Sequence, residues 1–262
     1  MTALSTAVPT KDAVSTNSTV PVTQAAGLGA QARAEALRSS HGGLEGPDLL
    51  RAMILEAFPG RIALVSSFGA EAAVLLDLVA AIDPATPVIF LDTGKLFGET
   101  LRYRDRLIAH LGLSDVRSIR PDTVALLARD PEGLLWKQNP DACCAVRKTE
   151  PMQRALAPFD AWITGRKRYQ SASRAGLETI EATGTHVKIN PLVSWTEADL
   201  EAHLVARDLP RHPLVEDGYL SIGCMPCTDR VPVGGNARDG RWAGLDKTEC
   251  GIHIGEVDGS GI

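Results

Sequence analysis

The chain has 262 residues, 44% of them hydrophobic, enough to build one large α/β domain with appendages. A net charge of -5 and an aromatic content of 5% supply neither a field that draws nucleic acid nor platforms on which bases stack. No apolar run approaches the ~20 residues of a membrane span and no basic-plus-apolar signal pattern opens the chain, so the expectation is a cytoplasmic protein with no nucleic acid and no membrane as partner.

In chain order, residues 1–25 are rich in Thr, Ser, Ala, Val and Pro without periodicity and read as a disordered tail. Residues 26–210 read as the α/β domain and 211–262 as a C-terminal segment. Ala32 to Leu37 and Pro47 to Phe58 read as helices; in the second, Leu49, Leu50, Met53, Ile54 and Ala57 share one face. The apolar run from Arg61 to Ser66 predicts a buried strand, followed by the turn Ser66–Glu71 and a helix to about Ile82. Pro87 to Leu91 predicts a second buried strand, ending in Asp92-Thr93-Gly94, with a helix from Phe97 to Leu111. Val116 to Ile119, Trp162 to Thr164 and His186 to Ile189 complete five predicted strands. Region 122–139 reads as helix broken at Pro131 and stopped by Asn139-Pro140, and a further helix carries Lys148 and Arg154. Thr196 to Ala206 starts on an N-capping Thr196, with Asp199 placed to close a capping box.

Strands alternating with helices predict a mostly parallel, twisted sheet with helices on both faces. Ligands of such sheets sit beyond the carboxyl ends of the strands. The turns Ser66–Glu71, Asp92–Lys95 and Gly165–Arg168 should therefore converge on one pocket, with the segment after about Pro210 folding back over it.

The turn Ser66-Ser67-Phe68-Gly69, between strand and helix, offers hydroxyls and backbone N–H groups to a phosphate, although a plain N-capping serine pair has the same look. Asp92-Thr93-Gly94 lies at the ligand edge, which makes Thr93 a candidate contact, but these are also ordinary residues of a βα turn. Gly165-Arg166-Lys167-Arg168 with Arg174 puts four cations after a strand, and Arg238, Arg241 and Lys247 add more downstream. A solvated basic loop is the bland reading; the position at a strand's carboxyl end favours an anionic substrate, with Arg166 among its contacts.

Five cysteines carry the most specific signal. Cys143-Cys144 and the C-x-x-C of Cys224 and Cys227 are two pairs, enough to close one metal site, and disulfides are disfavoured in the cytosol. Spacing alone leaves zinc and iron–sulfur open, and consecutive cysteines on one centre are expected to strain the local backbone. Cys250 stands apart between Glu249 and Gly251-Ile252-His253, where Lys247, His253 and nearby arginines would favour a thiolate nucleophile over a passive tail cysteine.

Taken together, Ser67-Phe68-Gly69-Ala70-Glu71, Phe90-Leu91-Asp92-Thr93-Gly94, Leu96-Phe97-Gly98-Glu99-Thr100, Cys143-Cys144, Gly223-Cys224-Met225-Pro226-Cys227-Thr228, Ala237-Arg238-Asp239-Gly240-Arg241-Trp242 and Glu249-Cys250-Gly251-Ile252-His253 resemble the assimilatory sulfonucleotide reductases. The likeness runs from about Leu49 to Ile254 and is strongest to the bacterial iron–sulfur members that reduce adenosine 5'-phosphosulfate. It implies an adenine-nucleotide α-hydrolase-like fold over 26–210, a C-terminal tail over the active site, and a 4Fe–4S cluster on Cys143, Cys144, Cys224 and Cys227. It also implies Cys250 as nucleophile, Lys148, Arg238, Arg241 and His253 near the phosphosulfate, and Ser66, Ser67, Phe68, Gly69, Leu91 and Gly165 around the nucleotide, with Arg174 a further contact. The implied activity is thioredoxin-dependent reduction to sulfite and AMP through an S-sulfonated Cys250, in sulfate assimilation and cysteine biosynthesis, with thioredoxin or a similar dithiol protein as partner and a homo-oligomer left open. Reduction of the 3'-phosphorylated compound, an ATP-dependent sulfurtransferase or pyrophosphatase, and a zinc-binding interaction module are the alternatives. One departure is the loop Gly165-Arg166-Lys167-Arg168, where the family usually has an apolar residue and two arginines after the glycine.

Overall fold

The computed structural model describes residues 29–242, 247 and 249–253; the tail expected over 1–25 and part of the segment 211–262 lie outside the described residues. A six-stranded sheet forms the centre, in the order β3-β2-β1-β4-β6-β5. Its strands are β1 (Ile62–Val65), β2 (Val88–Leu91), β3 (Val116–Ile119), β4 (Ala161–Ile163), β5 (Ile180–Thr183) and β6 (His186–Ile189). All neighbours pair in parallel except β5 and β6, which form an antiparallel hairpin. The strand β5 was not expected from sequence. Ile180-Glu181-Ala182-Thr183 buries only Ile180, and Glu and Ala are poor strand formers, so its pairing with β6 across Gly184 (φ 53°) decides it.

Side chains alternate across the sheet as the pleat requires. Ile62, Leu64, Val88, Phe90, Ala161, Ile163, Val187 and Ile189 face one core, where they meet the helices α1 (Ala30–His41), α2 (Gly46–Arg51), α3 (Ala72–Ala80), α4 (Gly98–Leu111) and α9 (Glu197–Ala206). Ala63, Ile89, Leu91 and Trp162 face the other side and meet Met152 and Leu156 of α8 (Glu150–Leu156). Helices therefore cover both faces, as the strand-and-helix alternation predicts. Thr196 and Asp199 form the expected reciprocal cap at the start of α9, through Thr196 N–H to Oδ2 at 2.8 Å and Asp199 N–H to Oγ1 at 3.2 Å.

The region 122–139 breaks into α5 (Thr123–Arg129) and α6 (Leu135–Gln138), with Asp122 capping the first. The helix α7 (Pro140–Cys144) then starts on an Asn139 cap and continues into α8 through one wide turn, Ala145–Thr149, in which Glu150 N–H reaches back five residues to the Ala145 carbonyl. Such π-type turns are a common device of functional sites because they re-aim side chains without ending the helix. Cys144 keeps ordinary helical angles (φ -64°, ψ -39°).

Candidate active site

The parallel strands send β1, β2, β4 and β6 to the same edge, and the strand order reverses between β1 and β4. A cleft of about 870 Å³ opens there, lined by the turns after β1, β2 and β4 and closed by residues between Leu220 and Trp242 together with Lys247, Glu249, Cys250, Ile252 and His253. The predicted convergence of three turns under a folded-back segment is what the structure has. Ser66, Ser67, Gly69, Leu91, Thr93 and Gly165 all line the cleft, as do Lys148, Arg166, Arg174, Arg238, Arg241, Cys250 and His253.

Phe68 differs. Its ring is fully buried in the core and packs edge-on against Phe90 at 5.4 Å, so its side chain does not face the cleft. The residue takes a positive φ of 49°, a conformation costing a non-glycine residue about 1 kcal/mol, and Ser66 Oγ accepts its N–H at 3.2 Å. Phe68 acts as a peg that anchors the turn. Gly69 is needed beside it, because a Cβ there would lie 3.1 Å from the Ile222 carbonyl of the covering segment.

The cations after β4 are mostly neutralised. Arg166 pairs with Glu181, and its guanidinium also reaches Asn190 Oδ1 at 3.3 Å. Lys167 is buried against Glu71, whose carboxylate also accepts from Tyr169 Oη at 2.6 Å and Gln170 Nε2 at 2.7 Å. Burial would raise the Glu71 carboxyl, but Lys167, Tyr169 and Gln170 together hold it below its ordinary value. Arg168 turns away and donates from Nε to the Leu177 carbonyl at 2.9 Å. Arg174 forks onto Glu249, with Nε to Oε1 at 2.7 Å and Nη2 to Oε2 at 2.8 Å, and Arg238 Nη2 adds a contact to the same carboxylate at 3.4 Å.

Lys148 and Arg241 are arranged differently. Among the described residues no carboxylate pairs with either. Burial works against the Lys148 ammonium, yet Cys250, Cys224 and Cys144 around it favour its charge and raise its pKa. The Cys250 thiol is held well below its ordinary pKa: the neighbouring Cys144 favours the thiolate, burial opposes, and Lys148, the Ile252 N–H and Arg241 favour it too. Arg241 fits because Gly223 has no side chain, since a Cβ there would fall 2.4 Å from its Nη2. His253 lies parallel to Trp162 at a centroid separation of 6.2 Å, with its Nδ1 buried and unpartnered. Burial, then the cations Lys188, Arg166, Arg174 and Arg238, push its pKa well down, so the imidazole is neutral.

Cys143, Cys144, Cys224 and Cys227 line one small cavity together with Lys95, Trp136, Arg147 and Lys148, and Cys250 does not belong to it. Arg147 braces this cavity through a buried pair with Asp130 at 2.6 Å and a bond to the Thr93 carbonyl at 2.8 Å. Thr93 Oγ1 lies 3.3 Å from Cys224 Sγ. The C-x-x-C is tied to the turn after β2 by Met225 N–H to the Lys95 carbonyl at 2.8 Å and to Trp242 N–H through the Cys227 carbonyl at 3.2 Å. The indole Nε1 of Trp242 is buried without a partner. Four thiols around one cavity, with the Thr93 hydroxyl beside one of them, suit a sulfur-rich group such as an iron–sulfur cluster.

Sequence reasoning assigned no role to Glu71, Glu249 or Lys188. The two glutamates stand inside quoted motifs, but nothing local tells which distant cation each one meets. Lys188 is buried, with Nζ 4.8 Å from the Trp162 ring centre, and burial first, then Arg166, lower its pKa to about 7. A lysine at an inner position of the short strand His186-Val187-Lys188-Ile189 is the signal that was available.

Fold and site together define an α/β protein with a cleft at the carboxyl ends of its strands and a covering segment that carries a cysteine, beside a second, four-thiol site. Residues 61–230 match the phosphoadenosine phosphosulfate reductase domain. The chain is 51% identical over 230 residues to an adenosine 5'-phosphosulfate reductase of Mesorhizobium japonicum, covering 88% of this chain and 91% of that one. It is 56% identical over 195 residues to the same-named protein of Chelativorans sp., covering 74% and 80%. A phosphoadenosine 5'-phosphosulfate reductase of Gloeobacter violaceus is 41% identical over 212 residues, covering 79% of this chain and 88% of that one. Among solved structures, the phosphoadenylyl-sulfate reductase of Candida auris superposes with a TM-score of 0.63 at 25% identity, covering 77% of this chain and 97% of that one. The FMN adenylyltransferase of Candida glabrata, at a TM-score of 0.52 and 16% identity over 81% of this chain and 72% of that one, shares the fold alone. The chain belongs to the phosphoadenosine phosphosulfate reductase family. Among the described residues no helix is long and apolar enough to cross a membrane.

Proposed function

We propose that the chain is a cytoplasmic adenylyl-sulfate reductase of sulfate assimilation, which reduces adenosine 5'-phosphosulfate to sulfite and AMP with electrons from thioredoxin or a similar dithiol protein. The observation that carries this reading is the division of the thiols: four share one cavity, and Cys250, next to Cys144 at its edge, stands in the cleft against Lys148 and Arg241. The Cys250 thiolate attacks the sulfur of the phosphosulfate, an S–S bond forms, and the S–O bond to the phosphate breaks with its electron pair leaving on AMP. Lys148 and Arg241 meet that developing charge. A dithiol protein then attacks Cys250 Sγ, sulfite leaves, and the second thiol resolves the mixed disulfide, so the dithiol supplies both electrons.

Cys143, Cys144, Cys224 and Cys227 would hold a 4Fe–4S cluster, with Thr93 Oγ1 beside the Cys224 sulfur. When bound, that group would supply a rigid, electron-rich tie between α7 and the C-x-x-C beside Lys148.

The second reading is reduction of the 3'-phosphorylated compound, the substrate named for the Gloeobacter violaceus relative. An extra dianion needs cations to receive it. Arg166 and Lys167, the obvious pair, are already matched by Glu181 and Glu71, which supports the unphosphorylated substrate. An ATP-dependent sulfurtransferase or pyrophosphatase has only the shared fold in its favour and would show in a turnover assay with ATP.

Two experiments test the reading. Substrate added without reductant should leave one sulfonate on Cys250 by mass spectrometry, and Cys250→Ser should release no sulfite yet bind AMP; sulfonation elsewhere removes Cys250 from its role. In competition, kcat/KM should favour the unphosphorylated substrate at least about tenfold, about 1.4 kcal/mol, and equal use would reverse the substrate assignment.

A further inference from the structure

Lys247, Glu249 and His253 are three of the covering segment's residues that line the cleft. Lys247 pairs with Asp141, whose carboxylate is 77% exposed, so this is a screened rim contact. His253 lies on Trp162. Between them Glu249, immediately before Cys250, makes a buried ion pair with the domain: both Arg174 and Glu249 are largely shielded, with side-chain exposures of 8% and 14%. The fork uses both carboxylate oxygens, and Ser171 and Ser173 approach Oε1 at 3.5 and 3.4 Å. The contact does not end at Arg174. Its Nη1 donates to Gln170 Oε1, Gln170 Nε2 donates to Glu71 at 2.7 Å, and Glu71 holds Lys167. The residue next to the nucleophile is thereby tied through one chain of bonds to the loop after β4 and to the residue that precedes α3.

We propose that Glu249 is the positioning residue of Cys250: its carboxylate, gripped by Arg174 and Arg238, fixes the peptide that presents the thiol to Lys148 and Arg241, and at the same time occupies Arg174 so that the anionic substrate is left to Lys148 and Arg241. The inference rests on the reading of Cys250 as nucleophile. A bidentate arginine–carboxylate fork sets direction as well as distance, which a single peptide bond away from the reacting atom is what alignment requires. Misplacing a reacting group by about 1 Å costs on the order of a hundredfold in rate. The fork also explains why an arginine predicted as a substrate contact lines the cleft already neutralised.

The test uses the full-length protein and the variants Glu249→Gln, Glu249→Asp, Arg174→Gln and the Glu249→Gln/Arg174→Gln double variant. Three quantities are measured: alkylation of Cys250 by iodoacetamide without nucleotide, the single-turnover rate of Cys250 sulfonation, and the dissociation constant of AMP. Glu249→Gln should be alkylated several-fold faster because the segment is released, and sulfonated at least about tenfold more slowly, with AMP affinity within about twofold of wild type. Glu249→Asp should recover part of the rate, and the double variant should be no slower than the slower single one, because fork and thiol placement act as a unit. Wild-type sulfonation in Glu249→Gln, additive losses in the double variant, or a loss confined to AMP affinity each overturn the proposal. If wild-type protein carries its sulfonate away from Cys250, the nucleophile assignment fails instead, and the alkylation rates still decide whether Glu249 holds the segment.

Discussion

Replacing Lys148 by Ala tests the electrostatic core of the proposed reaction. Its ammonium stands between the four-thiol cavity and Cys250, borders both the small cavity and the cleft, and has no carboxylate partner among the described residues. In the proposed reaction it does two things: it favours the Cys250 thiolate before attack and meets the charge that develops on the departing phosphate. Removing one preorganised charge or donor from a water-poor site costs about 3–4 kcal/mol, or roughly a hundred- to a thousandfold in kcat. Arg241 acts on the same thiol and remains, so the loss should fall at the lower end, about a hundredfold. Losing Lys148 also removes a cation that lowers the Cys250 pKa, so the limb of the pH–rate profile on which Cys250 ionises should move to higher pH, and alkylation of Cys250 should follow it. Single-turnover sulfonation and iodoacetamide labelling across pH measure both effects. A Lys148→Ala variant with wild-type sulfonation and an unmoved profile would show that Arg241 alone carries the charge.

Three further outcomes are expected. Protein purified without oxygen should be brown with about four irons per chain, and Ser at any one of Cys143, Cys144, Cys224 or Cys227 should abolish the colour; stoichiometric zinc in active protein contradicts this. Glu181→Gln unpairs Arg166, so the ratio of kcat/KM for the 3'-phosphorylated over the unphosphorylated substrate should rise, and a ratio that stays put argues that the loop does not meet the ribose. Burial opposes ionisation of Asp130, but Arg147 and the Leu135 N–H hold its carboxyl below the ordinary value, so its stabilising share is full above the unfolded pKa of about 4 and is lost as pH falls through the lower folded value. Asp130→Asn should therefore cost about 3 kcal/mol in urea unfolding at pH 7 and less at acid pH, and a constant penalty at all pH would show that the pair contributes packing rather than charge.

The sheet was legible in the sequence because its central strands are buried on both faces. Ile62–Val65, Val88–Leu91 and Ala161–Ile163 are unbroken apolar runs followed by Ser, Asp or Thr-Gly, a pattern with few other interpretations. The edge strand β5 has no such run; half of its identity comes from β6, which no local window contains. The wide turn Ala145–Thr149 was equally hidden, since a π-type step leaves no compositional trace and shows only as a five-residue hydrogen bond. Phe68 illustrates the same limit at single-residue scale. Its place in the Ser66–Gly69 turn suggested the ligand, whereas its positive φ swings the ring into the core and leaves the flanking serines and glycine facing the cleft.

The cations of the cleft show what sequence can and cannot say about a charged site. Residue types located them correctly: Arg166, Lys167, Arg174, Arg238 and Arg241 all line the cleft. Their roles depend on carboxylates that come from far along the chain, Glu181 for Arg166, Glu71 for Lys167 and Glu249 for Arg174, and no local spacing encodes those pairings. Each pairing converts a candidate anion receptor into part of the wall, because a buried ion pair has spent most of its field on its partner. What is left facing the thiol is narrower than the sequence suggests: Lys148 on the wide turn and Arg241 against the side-chain-free Gly223. Both flank Cys250, and both border thiols of the second site through Cys144, Cys224 or Cys227. In the proposed reaction, these two cations would hold the anion's charge beside the thiol that attacks its sulfur.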